Sequence, residues 1–196
     1  MSGMRINDHR LAAHLPDTYP EAEHSFEIRP AAVLLLLLEH EGEDFILFTR
    51  RSLKLKKHRG QISFPGGKRD PEDLSLWQTA LRETHEEIGV TADRITPLGA
   101  LPAFPTHTGY YVYPYVGRME WPVPLIPEPA EIDEIFRVPL AHLKNGEHHS
   151  VFFKEANGVN YPVHAYLYKH YRIWGITGAI LFGFLKQLTP KENMLF

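Results

Sequence analysis

One stretch of this chain dictates a turn, a helix and a kind of chemistry together. It reads Gly66-Gly67-Lys68-Arg69-Asp70-Pro71-Glu72-Asp73 and continues into Arg82-Glu83-Thr84-His85-Glu86-Glu87-Ile88-Gly89-Val90. Paired glycines mark a sharp turn. Ser75 with Gln78 three residues later signals a helix start, and Gly89 signals its end. Trp77, Leu81, Thr84 and Ile88 share the face that should pack inward. Glu83, Glu86 and Glu87, spaced i, i+3 and i+4, line an adjacent exposed flank. Carboxylates held that close repel one another, so a helix that collects them is usually holding a cation. Oxygen-only ligands imply a hard ion, Mg²⁺ or Mn²⁺, and such ions commonly act on phosphates. A solvated acidic face is the plainer reading, but it gives the flanking glycines no task.

The rest of the chain supplies a frame for that helix. Residues 33–38 form the most apolar run. It is too short to span a bilayer and is closed by Glu39-His40-Glu41, so it reads as a central strand buried on both faces. Strands are expected at residues 31–38, 45–49, 62–64, 95–101, 110–116, 132–136 and 149–155, with Asn157-Gly158 as a hairpin turn. Pro114 predicts that its strand is an edge or is bulged. Residues 121–129 are proline-rich and read as a loop beside the site. Residues 176–188 have the period of a closing helix. Mixed strands between two main helices give the α/β class, an α/β/α sandwich with a mixed β-sheet. Residues 1–29 read as an amino-terminal extension with a short amphipathic helix around residues 8–14. Residues 30–190 then form one domain and 191–196 a tail.

Composition narrows the partners. A formal charge of −3 over 196 residues gives no global attraction to nucleic acid or to a membrane. The chain has no cysteine, which excludes disulfides and thiolate chemistry. Residues 1–15 lack an apolar core and the last residues are not Ser-Lys-Leu, so the expected location is cytoplasmic. A small-molecule substrate is the expected partner, with at most a second copy of the chain as a homodimer.

The turn and helix resemble the Nudix box, whose usual form is Gly, five residues, Glu, seven residues, then Arg-Glu-apolar-x-Glu-Glu-x-Gly-apolar. Gly67, Arg82, Glu83, Glu86, Glu87, Gly89 and Val90 match it. Asp73 stands for the first glutamate, the following gap is one residue longer, and Thr84 replaces an apolar residue. Just upstream, Leu47-Phe48-Thr49-Arg50-Arg51-Ser52, Lys56, Gly60 and Phe64-Pro65-Gly66-Gly67 resemble the motif of the coenzyme A branch, with Phe48 and Lys56 departing from it. Leu101-Pro102, Thr108-Gly109-Tyr110 and Trp174-Gly175-Ile176-Thr177 are also similar to bacterial coenzyme A pyrophosphatases.

The resemblance implies a Nudix-type fold and hydrolysis of the diphosphate of coenzyme A or its thioesters. It implies Glu83, Glu86 and Glu87 as ligands of Mg²⁺ or Mn²⁺, together with the Gly67 carbonyl. Arg82 would orient a carboxylate, and Glu131 would be an acid or base from outside the box. Substrates such as NADH or ADP-ribose, or a non-catalytic nucleotide-binding module, are the alternatives.

Other features carry less. Arg50, Arg51, Lys54, Lys56, Lys57 and Arg59 crowd one loop. Alone they would be a solvated surface, but directly before Gly66 and Gly67 they read as an anion clamp. The glycines are not a Walker loop, because Ile62 and Arg69 occupy required Gly and Ser/Thr positions. The twelve histidines show no metal spacing. Most aromatics of residues 104–121 read as strand packing, with Tyr110 kept as a substrate contact.

Overall fold

Leu34, Leu35, Leu36, Leu37 and Leu38 are all fully buried, so their strand needs apolar cover on both faces. The computed structural model, which describes residues 4–12, 29–106, 108–156 and 158–188, supplies it. A short helix α1 (Asp8–Ala12) precedes β1 (Arg29–His40), β2 (Glu43–Arg51), β3 (Ile62–Ser63) and β4 (Gly66–Lys68). Next come α2 (Leu76–Ile88), β5 (Ile95–Ala100), β6 (Phe104–Pro105), β7 (Tyr110–Met119) and β8 (Ile132–Pro139). The chain ends in α3 (Leu140–Lys144), β9 (His149–Ala156), β10 (Val159–Tyr168), β11 (Tyr171–Ile173) and α4 (Gly175–Gln187).

The main sheet runs β3-β2-β1-β7-β5, with β4 beside β1, β6 beside β7 and β8 beside β2. β1 is antiparallel to β2 and β4 but parallel to β7, so the sheet is mixed. Its side chains alternate between two cores. Leu34, Leu36 and Leu38 pack with Ala80 and Ile88 of α2. Leu35 and Leu37 join Phe48, Ile180, Leu181 and Phe184 on the α4 side. The result is the α/β/α sandwich expected from the sequence. A second sheet, ordered β11-β10-β9, packs on α4 through β10.

Three expectations change. β7 is interior rather than an edge, since β1 lies on one side and β5 and β6 on the other. Pro114 is tolerated because its carbonyl, accepting from the Leu101 N–H, faces the gap between the end of β5 and the start of β6. Its missing N–H lies on that same side, just past the end of β5, so the pairing with β1 is not interrupted. The capping box at α2 is offset: the Ser75 side chain accepts from the Gln78 N–H, while the Gln78 side chain accepts from the Leu74 N–H. The bulge expected near Pro114 lies on the partner strand, between Pro97 and Gly99 of β5, opposite Gly117 and Val116.

Of the amino-terminal extension, α1 is fixed to the sheet by Arg118, which binds Asp8 and the buried Asp44. The remainder of the expected helix past Ala12, and residues 191–196, lie outside the described residues. The hairpin at Gly158 joins β9 to β10, with Ala156 opposite Val159; Asn157 lies outside the described residues.

Candidate active site

The glycine turn is a short strand, β4, pressed against both β1 and α2. Gly66 has φ +146°, and a Cβ there would sit 2.3 Å from the Ala32 carbonyl oxygen. At Gly67 a Cβ would lie 2.4 Å from Glu83 Oε2, so only glycine lets the backbone approach that carboxylate. The Gly66 N–H donates to Glu87 Oε2 at 3.2 Å. Both glycines are therefore fitted to the glutamates of the following helix.

Arg82 is the hub of the acidic flank. Its Nε and Nη2 donate to the two oxygens of Asp73, each at 3.0 Å. Its Nη1 donates to Glu83 and Glu86, also at 3.0 Å, and Nη2 reaches the Lys68 carbonyl at 2.9 Å. This guanidinium bonds three carboxylates and ties α2 to β4. Asp73, the departure from the Nudix pattern, is its buried anchor and also accepts from the Thr79 hydroxyl and the Asp70 N–H. Hydrogen bonding from Arg82 holds the Asp73 carboxyl down at about 2. The sequence pattern shows Asp73 only as a mismatch and gives it no role; its one available signal is an acid a short loop ahead of the Arg82 helix.

The three glutamates have unlike environments. Glu86 is exposed and Glu83 half-buried, but Glu87 is only 2% exposed. The expectation of an exposed flank therefore fails for Glu87, because Gly66 of β4 and Arg51 at the end of β2 lie against it. Burial pushes its carboxyl up to about 8, against the opposing pull of Arg51 and the Gly66 N–H. Glu83 is raised by burial too, with Glu86 and Glu131 adding repulsion.

Glu131 comes to this cluster on the proline-rich loop. The Ile126 and Glu128 N–H groups donate to the carbonyls of Ile88 and Glu87, which pins the loop across the end of α2. The Ser52 N–H then binds the Glu131 carbonyl at 2.7 Å. Arg51 lies between the two acids, 3.3 Å from Glu87 Oε1 and 4.0 Å from Glu131 Oε2.

The basic loop divides. Arg51 points into the acidic cluster, while Arg50 pairs with Glu134 on the opposite sheet face, where Glu134 also accepts from the Tyr171 hydroxyl. Lys56, Lys57 and Arg59 are exposed and make no ion pair among the described residues. Tyr110 lies under the Arg29 guanidinium, 4.4 Å from the ring centre, with Lys68 Nζ at 5.8 Å. Phe48, a departure from the upstream motif, is fully buried and stacked between Phe64 and Phe136. That departure therefore lies in the core.

Among the described residues, no three acidic or imidazole groups stand together as a closed cage, since Glu83 and Glu86 both lean on Arg82. The donor set nevertheless fits a hard divalent ion. It offers carboxylate oxygen alone, and the burial and mutual repulsion that raise Glu83 and Glu87 are what a cation would offset.

A glycine turn and a glutamate helix laid on a mixed sheet bring the residues that resemble the Nudix box into one cluster. The NUDIX domain family model matches residues 28–156. The chain is also 36% identical over 187 residues to the uncharacterized Nudix hydrolase NudL of Yersinia pestis (strain Pestoides F), covering 94% of this chain and 93% of that protein. NudL of Yersinia pseudotuberculosis serotype O:1b (strain IP 31758) matches equally. This chain belongs to the Nudix hydrolase family. Solved structures share its fold. A C. elegans Ap4A hydrolase binary complex superimposes with TM-score 0.50 at 22% identity, over 57% of this chain and 80% of that one. A MutT/nudix family protein from Enterococcus faecalis gives TM-score 0.52 at 18% identity, over 79% and 54%. No helix among the described residues is long and apolar enough to cross a membrane.

Proposed function

We propose that this chain hydrolyses the diphosphate of coenzyme A or its thioesters, releasing 3′,5′-ADP and 4′-phosphopantetheine or its acyl form. The reading rests chiefly on one relationship: Arg51 of the upstream motif and Gly66 of the glycine turn both bind Glu87. The segment that resembles the coenzyme A branch and the Nudix helix thus build one centre.

Glu83, Glu86 and Glu87, with the Gly67 carbonyl, would hold Mg²⁺ or Mn²⁺. Such an ion, when bound, supplies charge neutralisation on the diphosphate and lowers the pKa of a coordinated water. Arg82 holds Glu83 and Glu86 in position through its grip on Asp73. Glu131 is the base that accepts a proton from the attacking water, and Arg51 keeps it beside Glu87. Lys56, Lys57 and Arg59 receive substrate phosphates, and Tyr110 offers a ring face. Positioning and electrostatics suffice, because phosphoryl transfer demands little covalent help.

The test is incubation of the purified protein with Mg²⁺ or Mn²⁺ and coenzyme A, NADH or ADP-ribose separately, with products identified by mass. Selective formation of 3′,5′-ADP supports the reading. Cleavage of only the other two substrates overturns the coenzyme A assignment and keeps the Nudix chemistry.

A further inference from the structure

The small sheet ends at β9, whose outer edge pairs with no strand among the described residues. Two hairpins determine which of its groups face outward. Two residues separate Ala156 from Val159, and two separate Tyr168 from Tyr171, so each of those facing pairs is hydrogen-bonded. Counting by twos from either hairpin, Ser150, Phe152 and Lys154 bond to β10. The backbone groups of His149, Val151, Phe153 and Glu155 point away from it. On the face these four share, Val151 is 47% and Phe153 69% exposed, with the exposed Pro162 opposite Phe153. Proteins normally blunt a free edge with proline, a bulge or inward charge. β9 has no proline and no irregularity in its pairing; its charges, Lys154 and Glu155, stand near one end, and its middle presents Val151 and Phe153.

We propose that β9 pairs antiparallel with β9 of a second copy, about a two-fold axis through Phe152, making a homodimer with a continuous six-stranded sheet. Opposed residues in such a pair share a sheet face, so the axis must fall at a residue position. Centring at Phe152 sets Val151 against Phe153 of the copy, His149 against Glu155 and Ser150 against Lys154. The neighbouring registers are worse. Centring at Val151 opposes Glu147 to Glu155 and His148 to Lys154, and centring at Lys154 opposes that lysine to itself. Centring at Phe153 sets Val151 against Glu155. Like charges directly opposite destabilise a strand pair. His149 can meet an acid, since its Nε2 is held by His164 Nδ1 at 2.9 Å and its Nδ1 remains to bind a carboxylate. The inference is independent of the substrate reading.

Light scattering on the full chain should give twice the 22.6 kDa of one chain, and Phe153→Glu should return it to one, with circular dichroism and turnover unchanged. Because the chain lacks cysteine, the register can be read directly. Ser150→Cys mixed with Lys154→Cys should form a disulfide-linked dimer on mild oxidation, as a facing non-hydrogen-bonded pair has Cα atoms about 4.5 Å apart. Either variant alone should not, its own copies being displaced by about 13 Å along the strand. A monomer throughout a dilution series, a dimer that survives Phe153→Glu, or cross-linking of the single variants would each overturn the proposal.

Discussion

Arg82 grips Asp73 at two points, Nε to Oδ1 and Nη2 to Oδ2, both at 3.0 Å. Two parallel bonds fix the plane of the guanidinium, and so fix where Nη1 meets Glu83 and Glu86. Asp73→Asn keeps the shape but gives up the charge and one acceptor. The expected cost is about 2 kcal/mol of stability, in line with losing charge-assisted hydrogen bonds, with a fall in kcat larger than any change in KM. Urea denaturation and steady-state kinetics check both.

The same pair sets an acid limit on the fold. The Asp73 carboxyl is lowered from 3.8 to about 2. A lowered carboxyl contributes stability that is fully present above pH 3.8 and is lost as pH falls through 2. The stability gap between wild type and Asp73→Asn should therefore be constant above about pH 5 and close between about pH 4 and 2. A gap that is unchanged down to about pH 2 would show that Arg82 does not hold Asp73 ionised.

Glu87 behaves in the opposite sense. Its carboxyl is raised from 4.5 to about 8, so the folded state holds a proton that the unfolded state releases. In chelator, stability should decline as pH rises from 4.5 through 8, and Glu87→Gln should remove that decline. At about pH 8 the variant should be more stable than wild type by on the order of 4 kcal/mol, because each tenfold change in proton affinity between 4.5 and about 8 is worth about 1.4 kcal/mol. Its turnover should fall at least about 100-fold, since a ligand matters more than the outer residues that cost about 10- to 100-fold. Adding Mg²⁺ should raise the melting temperature of wild type and leave that of Glu87→Gln nearly unmoved. Equal Mg²⁺ stabilisation of the two proteins would remove Glu87 from the ligand set.

The adjacent glycines should separate fold from function. A methyl at Gly66 meets backbone, the Ala32 carbonyl and the Val33 Cα, neither of which can move away. Gly66→Ala should cost more than about 3 kcal/mol or prevent folding, as a backbone clash at positive φ adds strain to overpacking. The three atoms nearest a methyl at Gly67 all belong to the Glu83 carboxylate, the far end of a side chain that can swing aside. Gly67→Ala should fold with a melting temperature near that of wild type and lose Mn²⁺ affinity, measurable by electron paramagnetic resonance.

What the sequence disclosed, and what it withheld, follows from the range of each interaction. β1, α2 and α4 were legible because alternation, capping and helical period are local. β4 escaped notice because glycines pair there through backbone alone and leave no side-chain pattern. β10 was foreshadowed only by the Asn157-Gly158 turn and β11 not at all, because β10 packs on α4, which follows it in the chain, and β11 packs on β3, far before it. The interior place of Pro114 depends on where β5 stops, a long-range fact. At the site, spacing brought out Glu83, Glu86 and Glu87, but the burial of Glu87 comes from β4 and Arg51, and no helical wheel contains them.

Arg50 and Arg51 are neighbours in sequence and face opposite ways, the first to Glu134 and the second to Glu87. If Arg51 acts by holding Glu87 and Glu131, then Arg51→Met should lower kcat by about 10- to 100-fold, the usual cost of a residue that orients ligands. Its pH–rate profile should shift upward, because the guanidinium is what pulls Glu87 down against burial. Arg50→Met leaves that cluster intact and should change kcat by no more than a few-fold. Replacing Lys56, Lys57 and Arg59 together should act differently again, raising KM for coenzyme A more than for its 3′-dephospho form, since a phosphate clamp must sense the phosphate. Equal effects on the two substrates would take the 3′-phosphate away from this loop while leaving Arg51 its place beside Glu87.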